Sequence, residues 1–222
     1  MRTSGNQSKE LCMSFLKKRT KVFCIGQNKT GTTSVEHVLK QLGYKMGSQA
    51  KAELLIHDWA KRDFRSIVKY CKSADAFQDI PFSNDFTYAI LDYAFPDSKF
   101  ILTLRDSKDE WFESMKRFHT KLIGKERLPT ADDLKVYPYR YKGWMWENVQ
   151  LKYGIDETSL YDYKIYTDQY ERHNQAVIEY FKYRPDDLLV LNLSNDDAMK
   201  SLHEFLGFKY DGSVMPHLNQ SK

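Results

Sequence analysis

Lys21-Val22-Phe23-Cys24-Ile25-Gly26-Gln27-Asn28-Lys29-Thr30-Gly31-Thr32-Thr33-Ser34 sets the architecture of this chain. The apolar run from Lys21, closed by Gly26, predicts a short buried parallel strand. From Thr33 to Leu42, residues Val35, Val38, Leu39 and Leu42 recur at helical spacing, and Gly43 stands where a helix stops. The turn between them carries two glycines. Such a turn aims backbone N–H groups and the positive end of a helix at an anion. Lys29 adds a charge, and Thr32, Thr33 and Ser34 add hydroxyls. An ordinary Ser- or Thr-capped turn does not account for that crowding, so the loop is expected to bind phosphate.

Elements of the same kind follow outward from this loop. A second short strand is expected at Tyr44–Met46, a helix over Glu53–Tyr70, a strand at Ala76–Ile80 stopped by Pro81, and a helix over Thr87–Phe95. Lys99-Phe-Ile-Leu-Thr-Leu-Arg105 is the clearest strand of the chain. Ser107-Lys-Asp-Glu110 then has the pattern of a capping box and opens a helix whose Trp111, Met115 and Phe118 should face the core. Residues 121–168 read as an irregular aromatic segment. Tyr170–Tyr183 is expected to be helical, Leu188–Leu193 a strand, and Asp196–Leu206 a last helix. This alternation predicts an α/β fold: a single domain with a central parallel β-sheet of four or five strands flanked by helices, laid out like a P-loop nucleotide kinase. The expected division is a flexible or short-helical tail at 1–20 and one domain at 21–222, with 121–169 as an acceptor-binding insertion.

The chain has 222 residues and a formal net charge of +4. That charge is a mild bias toward anionic ligands and gives no reason to expect nucleic acid. No apolar run approaches the ~18 residues of a membrane span. The apolar runs Leu11–Met13 and Phe15–Leu16 are too short for a signal-peptide core, so a cytoplasmic location is expected. Cys12, Cys24 and Cys71 are odd in number and lack a C-x-x-C spacing, which suits reduced thiols and no zinc site.

Gly26 and Gly31 have the spacing of the nucleotide-binding pattern G-x-x-x-x-G-K-[ST], but Thr32 stands at its lysine and the lysine comes three positions early, at Lys29. No strand ends directly in an Asp that would hold Mg²⁺, because Arg105 precedes Asp106. A nucleotide hydrolase needs both features. The pattern favours a ligand with one bridging anhydride near Lys29.

Asn28-Lys-Thr-Gly-Thr-Thr-Ser34 resembles the 5'-phosphosulfate loop of the sulfotransferases that use 3'-phosphoadenosine 5'-phosphosulfate (PAPS), with Asn28 in place of the family's proline. Lys99–Ser114 resembles that family's second signature, a strand ending in Arg and a helix carrying Ser. Its Arg-to-Ser spacing is one residue longer than in the well-known cytosolic enzymes, where Glu113 would fall. Weaker likeness covers Tyr170-x-x-His173-Asn174, Leu188–Asn192 with Phe205-Leu-Gly207, and Pro216–Asn219, as in a compact branch common in bacteria. The glycine-rich C-terminal cofactor loop of the cytosolic enzymes is absent.

The resemblance implies transfer of a sulfuryl group from PAPS, without a metal, to a hydroxyl or amine of a sugar, phenol or other small molecule. Lys29 would stabilise the leaving oxygen, Thr30, Gly31, Thr32, Thr33 and Ser34 would hold the 5'-phosphate, and Arg105 and Ser114 the 3'-phosphate. Asp79, in Phe77-Gln-Asp-Ile-Pro81, occupies the slot of the family's catalytic histidine and is the candidate base; a turn carboxylate is the competing explanation. Tyr141, Trp144, Tyr170 and His173 are the candidate acceptor residues, although a hydrogen-bonded, partly buried position explains His173 better than a role in the acceptor pocket. Arg140 and Lys142 would suit an acidic acceptor. His37 and His57 read as surface or structural residues. A small ATP/Mg²⁺ kinase and a non-catalytic nucleotide-binding module are the alternatives.

Overall fold

The computed structural model describes residues 20–216 and Leu218. Residues 1–19 of the expected tail, with Cys12, and the His217 and Asn219 positions of the C-terminal motif lie outside these residues. In chain order the elements are β1 (Val22–Cys24), α1 (Thr32–Gln41), α2 (Gln49–Glu53), α3 (Ile56–Ala60), α4 (Arg65–Tyr70), a 3-10 turn (Cys71–Ser73), β2 (Ala76–Gln78), α5 (Thr87–Ala94), β3 (Lys99–Leu104), α6 (Lys108–Ile123), α7 (Ala131–Val136), α8 (Trp144–Tyr153), α9 (Tyr163–Phe181), β4 (Leu188–Asn192) and α10 (Ala198–Phe205).

The four strands form one sheet in the order β2-β1-β3-β4. Every pairing is parallel, with Phe23 opposite both Phe77 and Phe100. Strand side chains alternate between faces, and the sequence uses that alternation to build two cores. Phe23, Ile25, Phe77, Phe100 and Leu102 point to the face packed by α5, α6, α8 and α9. Val22, Cys24, Ala76 and Ile101 point to the face packed by α1 and α10. Cys24 and Cys71 are free and buried, and burial pushes both thiols up to about 12. No helix among the described residues is long and apolar enough to cross a membrane.

Three expectations change. Tyr44–Met46 is not a strand; it contributes a single bridge, Met46 to Ala76. The helix expected over Glu53–Tyr70 is three short helices, the last break lying where Arg62 turns left-handed and the Asp63 carboxylate accepts from the Arg65 N–H. The 121–168 segment is largely helical. Thr130 and Asp133 close a reciprocal capping box on α7, and Gly143 and Gly154, both left-handed, bound α8. The Asp162 carboxylate accepts from Ile165 N–H and starts α9 seven residues before the expected Tyr170. Aromatic content hid the helical period there, while the capping and glycine signals that mark those helices stood in the sequence.

The chain leaves β1 toward β2 on one side and then crosses to β3 on the other. A crevice therefore opens beyond the carboxyl ends of β1, β2 and β3, where ligands of such sheets bind.

Candidate active site

Gly26 and Gly31 shape the loop for different reasons. A side chain on Gly26 would lie 2.0 Å from Thr103 Oγ1 and 2.6 Å from Thr103 N, so β1 can run this close to β3 only without one. Gly31 has φ of 102° and caps α1 with its backbone, and a Cβ there would meet Leu193 at 2.4 Å. No side chain caps α1 and its first turn holds no carboxylate, so the helix end itself carries no negative group, although Glu36 and Asp79 line the same cleft.

The loop carbonyls are anchored from behind. The Thr30 hydroxyl donates to the Gln27 carbonyl at 2.5 Å, the Trp111 indole N–H to Asn28 at 3.0 Å, and Arg105 Nε to Lys29 at 2.7 Å. Since a trans peptide directs N–H opposite to C=O, these anchors turn the N–H groups of Asn28 and Lys29 away from them. Lys29 itself is left-handed, with φ of 69°. Its ammonium lies 4.6 Å from the centre of the Phe118 ring. Desolvation, then the charges of Arg105, Lys121 and Arg117, lower its pKa, while Asp79 opposes them.

Loop and strand ends surround a cleft of about 310 Å³. Asn28, Lys29, Gly31, Thr32 and Thr33 line it together with Arg105 from the end of β3 and Asp79 from the end of β2. Arg105 is fixed between the Lys29 carbonyl and Glu110, whose carboxylate accepts from Nη1 at 3.0 Å. Asp79 is a second left-handed residue, φ 61°, and its Oδ1 accepts from the Ile80 N–H at 3.0 Å. Desolvation raises its carboxyl above the ordinary range, against the pull of Lys152 and Lys29. Non-glycine residues rarely adopt φ near +60°; of the six that do among the described residues, Lys29 and Asp79 are the two that line the cleft.

The other candidates are placed less directly. The Thr30 hydroxyl is spent on Gln27 and Thr103, and Ser34 is buried with its Oγ accepting from the Leu218 N–H. Both brace the loop and do not line the cleft. Ser114 is buried on α6 outside the cleft wall, and Glu113 is exposed and paired with Lys116. Trp144 lines the cleft. Tyr141 does not; its hydroxyl sits 2.9 Å from His57, beside Glu147. Tyr170 accepts the Arg105 N–H through its hydroxyl and stacks on Trp111 at 4.4 Å, so it braces the β3–α6 junction. His173 is core, between the Ile25 carbonyl at 2.9 Å and Asp85 at 3.3 Å. Arg140 is committed to the buried carboxylate of Glu53, and Lys142 is exposed away from the cleft, so neither prepares it for an acidic acceptor.

Two groups went unnoticed in the sequence. His119 lines the cleft, accepting or donating at Nδ1 with the Tyr161 hydroxyl at 2.9 Å. Burial, then the charges of Lys29 and Lys152, push its pKa down to about 4, leaving it neutral. Its i, i+4, i+8 spacing from Trp111 and Met115 was the available signal. Phe118, expected in the core, is the half-buried residue under Lys29 instead. Lys152 of α8 is buried and donates to Gln27 Oε1 beneath the loop. Burial pushes its pKa down to about 8 against the attraction of Asp79 and Asp85. No group of three or more His, Cys, Asp or Glu among the described residues is arranged to hold a metal ion.

A family model described as a sulfotransferase domain matches residues 21–222. A search of curated proteins found no match.

Proposed function

The chain belongs to the sulfotransferase domain family, and from this we propose that it moves a sulfuryl group from PAPS to a hydroxyl or amine of a small-molecule or carbohydrate acceptor. The observation that carries this reading is one cleft at the head of α1 with Lys29 and Arg105 over β1 and β3 and Asp79 over β2. The acceptor oxygen or nitrogen attacks sulfur in line. The bond between sulfur and the bridging oxygen breaks, and adenosine 3',5'-bisphosphate leaves with the electron pair. Lys29 meets the charge that grows on the bridging oxygen, the step at which a preorganised cation counts most. The Gly31–Thr33 end of α1 holds the 5'-phosphate, and Arg105 holds the 3'-phosphate as a charged fork. Asp79 takes the acceptor's proton; its raised pKa makes it a stronger base than a free carboxylate while Lys29 and Lys152 keep it ionisable. These protein groups supply the charge stabilisation, so the scheme needs no metal.

Thermal denaturation in EDTA tests the reading. A ligand at ~100 times its Kd should add roughly 2.7 kcal/mol, and adenosine 3',5'-bisphosphate is expected to do so. A shift with Mg-ATP and none with the bisphosphate would replace this reading by the kinase one. Binding of the bisphosphate with no transfer from PAPS to any acceptor would support a non-catalytic module.

A further inference from the structure

A second concave surface, sharing no residue with the active cleft, lies between α4 and α5. It is a groove of about 910 Å³. Phe64 and Val68 on the α4 side and Ile90 and Ala94 on the α5 side make its floor apolar. Val68, Ile90 and Ala94 are only half-buried and belong to neither core. Tyr93, on the same wall, is 89% exposed. Phe86 is 57% exposed and stands beside the groove, its ring 5.0 Å from the Arg62 guanidinium.

The rim of this groove has one sign of charge. Residues 61–72 carry five Lys or Arg and a single acid, Asp63, and all five cations are exposed. Arg65, Lys69 and Lys72 recur at i, i+4, i+7 and so share one side of α4 and the turn after it. Arg65 holds both oxygens of Asp63, at 2.8 and 2.6 Å. Of the acids nearby, Asp58 faces Arg65, and Asp92, next to Tyr93, is taken by Arg184 and Tyr180. Arg62, Lys69 and Lys72 have no ion pair among the described residues. An apolar floor therefore lies under uncompensated positive charge.

We propose that this surface docks the protein on an anionic lipid bilayer, with Tyr93 and Phe86 in the headgroup layer and Arg62, Lys69 and Lys72 on lipid phosphates and carboxylates. The charge calls for an anion, and the apolar floor calls for one with an apolar body. A bilayer fits better than an acidic protein for two reasons. No amide and no Ser or Thr hydroxyl lines the groove, so nothing there reads a particular partner by directed hydrogen bonds. Its cations are on flexible stems, two of them lysines, a residue depleted in protein interfaces, and its exposed apolar groups are aromatic. Basic stems beside tyrosine are the composition of an interfacial anchor. Such a protein lies on the membrane and does not span it.

Co-sedimentation of the full chain with phosphatidylcholine vesicles, with and without phosphatidylserine, tests this. Binding should be at least about tenfold stronger with phosphatidylserine and should fall as salt is raised. Lys69→Glu combined with Lys72→Glu should weaken it by about tenfold or more, and Tyr93→Ser should weaken it severalfold. These side chains are exposed, so both variants should keep the wild-type Tm; the wild-type comparison of the two vesicles decides the matter even for a variant that does not. No binding, or equal binding to the two vesicles, would overturn the proposal. So would undiminished binding by both variants, which would put the contact elsewhere, as on the basic stretch 17–19. A soluble amphipathic peptide of Glu and Leu that binds through Lys69 and Lys72 while vesicles do not would replace the bilayer by an acidic protein. The sulfotransfer reading stands in each case, because the active cleft and this groove have separate walls.

Discussion

Asp79 carries two penalties, a left-handed backbone and a carboxyl withdrawn from water. If it is the base, Asp79→Asn should lower single-turnover transfer by about 10²–10⁴. The same substitution should stabilise the fold at neutral pH. Because the folded-state pKa is raised, the carboxyl's contribution is fully favourable below the unfolded value near ~3.9 and is lost as pH rises through the folded value. The variant's Tm should therefore exceed that of the wild type at pH 7, and the two should converge as pH falls below ~4. Calorimetry across pH checks the second effect separately from the first. A transfer rate within a few-fold of wild type would assign Asp79 to turn structure and make His119 the next candidate, since it is the neutral imidazole on the cleft wall. Lys29→Ala should keep bisphosphate affinity and lose about 10²–10³ in turnover. Arg105→Ala should do the reverse, weakening bisphosphate binding by about 1.5–3 kcal/mol and erasing the preference for a 3'-phosphate in calorimetry. Ser114→Ala should change that preference less, because its side chain is buried off the cleft wall.

At the scale of elements, the site depends on how β1, β3 and α6 meet. Gly26 lets β1 approach β3, while Trp111 and Arg105 from the β3–α6 junction tie down the loop carbonyls. Gly26→Ala forces a methyl into Thr103 and should cost about 1–3 kcal/mol or more, as overpacking does. Urea denaturation would show the lower midpoint; an unchanged midpoint would mean that the two strands can part without penalty. The glycines were legible in the sequence from their spacing. Their reasons were not, because the Gly26 contact is made to a strand nearly eighty residues away. The same limit hid the donor-collecting role of Glu53, whose partners come from two separate stretches of chain, Gln49 beside it and Tyr139, Arg140 and Trp144 some ninety residues on.

For the whole molecule, ligand contacts should gather at one end of the sheet. On binding adenosine 3',5'-bisphosphate, hydrogen exchange should slow in the loop between β1 and α1 and at the β3–α6 junction. It should stay unchanged around Leu206–Phe208, which pack near Thr20 and Lys99 at the opposite end. Protection at that far end instead would displace the site from the crevice. The amino-acid sequence by itself determined the parallel α/β architecture and marked the glycine loop and Arg105, which line one cleft. Those rest on periodicity, glycine spacing and short motifs, each of which acts within one or two adjacent elements. The tertiary structure alone decided which candidates share the cleft. It brought His119, Gln78 and Asn148 to the wall, sent His173 and Tyr170 into bracing positions, and spent Arg140 on Glu53. Such outcomes depend on which hydrogen-bonding groups are exhausted by partners distant in the chain, and no local pattern encodes that.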